Sequence, residues 1–365
     1  MFCVIIKVGD NMRYMRLDRI PIGSKLGRNI VTHDNQILVR NGTVLTEHLL
    51  EKLKDREYDY LYIEDDLSSD IMIDEVIPQA LMSSTINSLK KMDIESTVTN
   101  ARKIVDNILS SPDISADNYD DNVDKEEIFK HSVLVTELSV ALGKIIGLDQ
   151  EKLNDLAVAS LLHDIGKLCT NKDEIEKLGV DQLLKRLGLN CSMEEYQEIM
   201  HSFIGFSILN KNVAVSATIK QAILMHHERV DGKGLLHFPA EKIGIYGKII
   251  NITDTFSRLI TNSHEVKVNN TSEVIEYLRD NAGTMFDDKL VKIFISRMPI
   301  YPPGITIELS DGNFAIVCQN NLSFPTRPKI ILENGKKIDL SLPENQNITV
   351  IGVNLRNNKE NYKQR

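Results

Sequence analysis

The sequence predicts a mainly α chain: a helical bundle with a small α+β module before it and a small all-β module after it. Three observations carry that expectation. From about residue 76 to 300, apolar positions recur at three- and four-residue steps with little Gly or Pro, the period of an amphipathic helix. The stretches on either side break into short apolar runs punctuated by Gly, Pro, Asn and Asp, as strands and turns do. A length of 365 residues, 42% hydrophobic and 26% charged, gives a globular chain room for two or three domains. The expected boundaries are 1–66, 67–300 and 301–355, with a polar tail over 356–365.

In chain order, MFCVIIKVGD is too short and too poorly flanked to be a membrane span or signal peptide, and reads as a strand. QILVRNGTVL sets Asn41-Gly42 between apolar runs, the signal of a type I′ hairpin. Thr46 can cap a short helix carrying Leu49, Leu50 and Leu53, and YDYLYIED closes the module as a strand. His33, Asp34 and His48 read here as exposed turn residues rather than a metal cluster. The run ALMSSTINSLKKMDIESTVTNARKIVDNIL opens the helical region, and the acidic SSPDISADNYDDNVDKE reads as a loop. Helices are expected near 127–147, 152–168, 193–210, 215–228 and 240–261, with Ser192 and Glu195 as a capping box for the third. After Met298, the turns YPPG, SDGN, ENGKK and LPEN separate short strands such as FAIVC, KIILE and ITVIGV.

A net charge of −9 argues against a broad basic track for DNA, although a single cationic pocket would not show in it. The four cysteines, Cys3, Cys169, Cys191 and Cys318, form no CxxC pair. This excludes a cysteine-built zinc site and suits a reducing compartment, so a cytoplasmic protein without membrane insertion is expected.

Chemistry concentrates in the histidines. Five of the nine lie between residues 131 and 227, each in or beside an apolar helical pattern. His163-Asp164 ends LAVASLLHDIGKL, His226-His227 ends AILMHHE, and Asp254 sits among Ile249, Ile250, Ile252 and Phe256. A carboxylate on such a face needs a cation, and Arg258, one turn on, is the partner if no metal is present. His201 alone reads as a satisfied core histidine. Together, imidazoles and carboxylates without thiolates are a ligand set for Fe, Mn or Zn. Neighbouring helical ligands diverge by roughly 100°, so an HD or HH pair can address two adjacent ions.

These elements, in this order, resemble the HD-GYP family of bacterial phosphodiesterases, a branch of the HD superfamily. HSVLVTELSVALGKIIGLD resembles its opening helix, LLHDIGKL its HDxGK element, and HSFIGFSIL its HxxxGxxxL helix. HHERVDGKG resembles its HHExxDGxG turn, and IINITDTFSRL the element that supplies the last aspartate. The resemblance covers roughly residues 125 to 262 and implies an HD-type helical bundle. It implies metal ligation by His131, His163, Asp164, His201, His226, His227 and Asp254, with Asp164 bridging two ions. Glu127, four residues before His131 on one helical face, either helps to hold a third ion or is a solvated acid of the run DKEE. The implied cofactors are thus two or three divalent ions, Fe or Mn first and Zn as the alternative.

The implied reaction is in-line hydrolysis of a cyclic dinucleotide, cyclic di-GMP first, to linear pGpG or GMP, with Asp164 and Lys167 as the catalytic pair. Two departures concern the substrate. Gly234-Leu235-Leu236 stands where the family has Gly-Tyr-Pro, and Ser263 and Val266 stand where it tends to carry arginines. Lys167, Gly234 and Lys267 are therefore the substrate-binding candidates, His264 aligning no better than Lys267. The same departures motivate a second reading, a cyclic-nucleotide receptor or signalling scaffold without turnover. A third, a general HD phosphohydrolase of another nucleotide, would not be expected to carry HHExxDGxG. The flanking modules also resemble appendages of such proteins, and imply regulation, packing, homodimer contacts or a signalling partner.

Overall fold

The computed structural model describes residues 10–353 apart from 32–35, 57, 59, 69–70, 74–75, 112–126, 170, 180–181, 183–184, 186–192, 211, 262–267, 269–270 and 322. The MFCVIIKVGD strand up to Gly9, Cys3, Cys191, His33, Asp34, the acidic loop from Pro112 on, the Ser192 cap and the polar tail lie outside those residues.

The chain is mainly helical, with small antiparallel sheets in its first and last parts. Near its start, Arg13–Arg16, Tyr60–Glu64 and Lys25–Leu26 form a three-stranded sheet with Tyr60–Glu64 in the middle. Thr46 caps the helix Glu47–Lys54 by accepting from the Leu49 amide at 3.3 Å. The expected type I′ hairpin at Asn41-Gly42 does not form. Only Gly42 has positive φ, +73°, whereas that turn needs it at both central residues. The flanking runs also take other partners: Ile37–Val39 pairs with Ile30–Val31, and Val44 bridges Lys25.

The helical run from residue 79 is two helices, Gln79–Lys90 and Ile94–Ser110. Met92 takes φ +52° between them, and the Asp93 carboxylate then caps the second by accepting from the Ser96 amide at 3.1 Å. The bundle continues with Glu127–Ile145, Gln150–Leu162, Met193–Leu209, Ala217–Met225 and Ile245–Ile260. Glu127–Ile145 packs on Gln150–Leu162 and on Ile245–Ile260, and Ala217–Met225 touches Gln150–Leu162, Met193–Leu209 and Ile245–Ile260. Two of these helices stop earlier than the apolar pattern suggests, at Leu162 and Met225, each just before a histidine.

A close approach of backbones fixes one of those stops. After Leu162 the chain enters a 3-10 turn, Ile165–Leu168, that lies against Met193–Leu209. A Cβ on Gly166 would come within 2.0 Å of the His201 carbonyl oxygen and 2.8 Å of the Gly205 nitrogen. Only glycine permits that contact, so Gly166 and Gly205 set the distance between His163-Asp164 and His201.

The last part is a five-stranded antiparallel sheet ordered Lys337–Asp339, Lys329–Leu332, Phe314–Gln319, Thr306–Leu309, Val350–Val353. It meets the first module directly. The Tyr14 amide donates to the Gly304 carbonyl at 2.8 Å, Thr306 Oγ1 donates to the Tyr14 carbonyl at 3.2 Å, and Arg19 lies 4.5 Å over the Phe314 ring. Met12 and Ile71 share an apolar cluster with Ile316 and Ile331. A larger core runs on from Tyr14 and Tyr60 through Val133, Leu156 and Ile249 to Ile307 and Val317. Among the described residues, no helix is long and apolar enough to cross a membrane.

Candidate metal centre

Helix ends bring the ligands together. His163 follows the last residue of Gln150–Leu162, and its Nδ1 donates to the Ser160 carbonyl at 2.7 Å. His226 follows Ala217–Met225 in the same way, its Nδ1 donating to the Ile223 carbonyl at 2.7 Å. A carbonyl only accepts, so in each neutral ring the proton is on Nδ1 and the lone pair is on Nε2. Both Nε2 atoms face the interior of the bundle.

Two triads result, His131, His163 and Asp164 on one side and His201, His226 and His227 on the other, with the ligand atoms of each within 4.8 Å of one another. Asp164 stands between them. Its Oδ1 is 3.1 Å from His201 Nε2, while its Oδ2 is 3.6 Å from His163 Nε2 and 4.0 Å from His131 Nε2. Asp254 Oδ1 faces the first triad, 2.9 Å from His131 Nε2 and 3.7 Å from His163 Nε2. Lys167 donates to Asp164 Oδ2 at 2.9 Å.

The fit to metal ions rests on two features of this geometry. His163 Nε2 is buried without a hydrogen-bond partner, a costly state for a polar atom. His201 Nε2 lies 3.2 Å from His226 Nε2 and 3.0 Å from His227 Nε2. At most one proton can sit in each such contact, so these rings present more lone pairs than donors, an arrangement that a cation satisfies. The donor set is imidazole and carboxylate without thiolate, and the residues fit divalent metal.

The electrostatics agree. Burial opposes ionisation of Asp164 and Asp254, but His163, His201 and Lys167 outweigh it for Asp164, and the His131 hydrogen bond with the nearby His163 ring does so for Asp254. Both carboxyls stay well below their usual range. Burial, then the neighbouring His227, holds His226 well below an ordinary imidazole, and burial, then His201, lowers His227 to about 3. His163 is the exception: against its burial, Asp164 and Asp254 raise it, so its Nε2 proton has to leave before it ligates. Anionic carboxylates and neutral imidazoles are the forms that ligate.

Seven expected ligands therefore meet: His131, His163, Asp164, His201, His226, His227 and Asp254. Glu127 begins the His131 helix, but its side chain lies outside the described residues, as does all of Lys267. Gly234 has a packing role, since a Cβ there would come within 2.7 Å of the Glu228 Cα. The buried Glu228 carboxylate organises that loop by accepting from the Leu236 and Phe238 amides at 2.7 and 2.8 Å. Leu235 packs against the cluster of Cys169, Ile175, Met200 and Ile204. Asp231 takes both arms of Arg229 at 3.0 and 2.6 Å, which lowers its pKa to about 2.

Sequence reasoning missed Ser257, whose Oγ lies 3.0 Å from His131 Nδ1. Asp254 and Ser257 thus meet the two nitrogens of one imidazole from a single helical face. Their i,i+3 spacing was the available signal. Asn251 was missed too. It donates to the Glu228 carbonyl at 2.8 Å and ties the HHE turn to the Asp254 helix.

Comparison with known proteins gives the same region. Residues 122–290 match the family model described as HD domain. The chain is 30% identical over 213 residues to cyclic di-GMP phosphodiesterase PdeB of Borreliella burgdorferi, covering 57% of this chain and 53% of that protein. It is 25% identical over 220 residues to cyclic di-GMP phosphodiesterase PA4108 of Pseudomonas aeruginosa, covering 60% and 51%. The chain thus spans about half the length of these curated relatives. A solved structure, Bd1817, an HDG"Y"P protein from Bdellovibrio bacteriovorus, is 19% identical with a TM-score of 0.48, covering 77% of this chain and 97% of that one.

Proposed function

We propose, on the premise that residues 122–290 are an HD domain, that the chain is a metal-dependent phosphodiesterase of cyclic dinucleotides, with cyclic di-GMP as its first substrate. The observation that carries this reading is the paired triad with a carboxylate oxygen of Asp164 turned toward each half. Two ions held that way suit in-line displacement at a phosphodiester. The names of the two relatives support the substrate class.

His131, His163 and Asp254 would hold one ion, His201, His226 and His227 the other, and Asp164 would bridge them. Fe or Mn fits the nitrogen and oxygen donors, with Zn as the alternative. When bound, the ions supply Lewis acidity to the phosphoryl oxygens and activate water. Asp164 fixes the separation of the two halves. Lys167 holds Asp164 in its anionic form and brings an ammonium to a phosphate oxygen. Ser257 keeps the His131 ring oriented. Glu127 remains the candidate for a third ion, and Lys267 and Gly234 remain candidates for substrate contact.

A receptor that binds without turnover is favoured by one observation, the departure at Leu235 and Leu236, whose loop is tied to Glu228. The deciding experiment is anaerobic purification with metal analysis, followed by turnover of cyclic di-GMP, cyclic GMP-AMP and linear pGpG. Two or more ions per chain and hydrolysis abolished by Asp164→Ala are expected. Stoichiometric metal with nucleotide bound but no product would replace the enzyme with the receptor.

A further inference from the structure

Two helices bring His131 to its partners. Glu127–Ile145 carries the histidine, and Ile245–Ile260 carries Asp254 and Ser257, which meet its two ring nitrogens. A second polar contact joins the same helices away from the ligands. Ser139 Oγ lies 2.7 Å from Thr253 Oγ1, and both residues are fully buried. The Thr253 hydroxyl donates within its own helix, to the Ile249 and Ile250 carbonyls at 3.2 Å each. A hydroxyl has one proton to give, so Ser139 is the donor of the bond between the helices.

The placement of that bond gives it a use. Apolar packing is non-directional and opposes rolling or pivoting of one helix on another only weakly. A buried hydroxyl pair is directional and costly to leave half made. Ser139 follows His131 by eight residues, roughly 12 Å along the helix axis and roughly 80° round it. Thr253 precedes Asp254 directly, and neighbouring helical side chains diverge by roughly 100°. The helices are therefore pinned at two separated points, one made by Asp254 and Ser257 and the other by Thr253. With a single pin they could pivot about it, and the His131 ring would turn relative to Asp254.

We propose that Ser139 and Thr253 are positioning residues for the metal centre: their hydroxyl pair holds the two helices in the arrangement that sets His131 on Asp254, and so sets the affinity of the half made by His131, His163 and Asp254. This rests on reading those residues as metal ligands, and not on the identity of the substrate.

The test uses the full chain as wild type, Ser139→Ala, Thr253→Ser and a Ser139→Ala, Thr253→Val double variant, which replaces both hydroxyls by apolar groups of similar shape. Titration with Mn(II), followed by electron paramagnetic resonance of the free ion, reads the binding steps, and Asp254→Asn identifies the step that belongs to the His131 half. That step is expected to weaken about 10-fold in the double variant, with the other step unchanged and the melting temperature close to wild type. Thr253→Ser, which keeps the accepting oxygen, is expected to bind as wild type does. Unchanged affinities in the double variant overturn the proposal, as does equal weakening of both steps, which marks a general loosening of the bundle. Thr253→Ser as weak as the double variant also overturns it, since shape rather than the hydroxyl would then matter. Should the double variant not fold, Ser139→Ala alone carries the test, with the same selective weakening expected and unchanged affinities overturning the proposal. A second reading needs no metal. In the chelator-treated chain with isotope-labelled histidine, the proton that His131 Nε2 donates to Asp254 is expected downfield in wild type and lost to solvent exchange in the double variant, and its persistence overturns the proposal. Wild type that takes up no Mn(II) refutes the metal-centre reading, and the imidazole proton then judges whether the pair positions His131.

Discussion

Ser257 acts on the site through a ligand rather than as one. Its hydroxyl at 3.0 Å from His131 Nδ1 fixes the ring that faces Asp254. Ser257→Ala is expected to lower metal affinity by about 10- to 100-fold while leaving the fold intact, as read by metal competition with a chelating dye alongside circular dichroism. The histidines give a pH dependence. His226 and His227 stay neutral in the folded metal-free chain, whereas in the unfolded chain they take up protons near an ordinary imidazole pKa of about 6.5. Their contribution to stability is complete above that value and is lost as pH falls below it. Chelator-treated protein should therefore melt at lower temperature at pH 5 than at pH 7. His163, shifted the other way, offsets part of this. A His226→Gln, His227→Gln double variant should flatten the slope. The ligands themselves were legible in the sequence, because histidines and acids in apolar patterns are costly unless used. Ser257 was not, because a serine on a helix is common and only its spacing from Asp254 marks it.

At the scale of elements, glycines and one buried carboxylate fix where the ligand-bearing segments stand. Gly166→Ala sets a methyl against the His201 carbonyl. It is expected to cost about 3 kcal/mol or more, measured by urea denaturation, and to lower metal content as the two halves separate. Glu228→Ala would leave the Leu236 and Phe238 amides without their acceptor. A raised KM with ions per chain unchanged is the expected outcome, read by steady-state kinetics and metal analysis. The periodicity gave the helices of the bundle but ran past their ends at Leu162 and Met225, since the apolar pattern continues into the ligands while the backbone turns. The Asn41-Gly42 reading failed for a related reason. Local turn chemistry names a reversal, but the partners of its flanking residues were chosen across the chain, by Lys25 and by Ile30–Val31.

For the whole molecule, the first and last modules share a core with the bundle. Tyr14 stacks on Tyr60 with centroids 5.1 Å apart and is tied to the last sheet through Gly304 and Thr306. Tyr14→Ala is expected to cost about 3 kcal/mol and to lower the melting of the whole chain in one transition, as scanning calorimetry would show. Separate transitions would mean that the modules unfold independently. Composition shifts marked these modules as distinct stretches, but the contacts between them join residues almost 300 positions apart and leave no local trace.

The two helices that stop early leave carbonyls that no following amide collects. The Ser160 and Ile223 oxygens take an imidazole proton instead. Were either helix to run one turn further, its own backbone would claim that oxygen, and the ring would lose its anchor and its fixed tautomer. The length of a helix therefore decides which nitrogen of each ring is bare. Metal affinity could then be tuned by substitutions that alter neither charge nor ligand, only the place where the chain stops coiling.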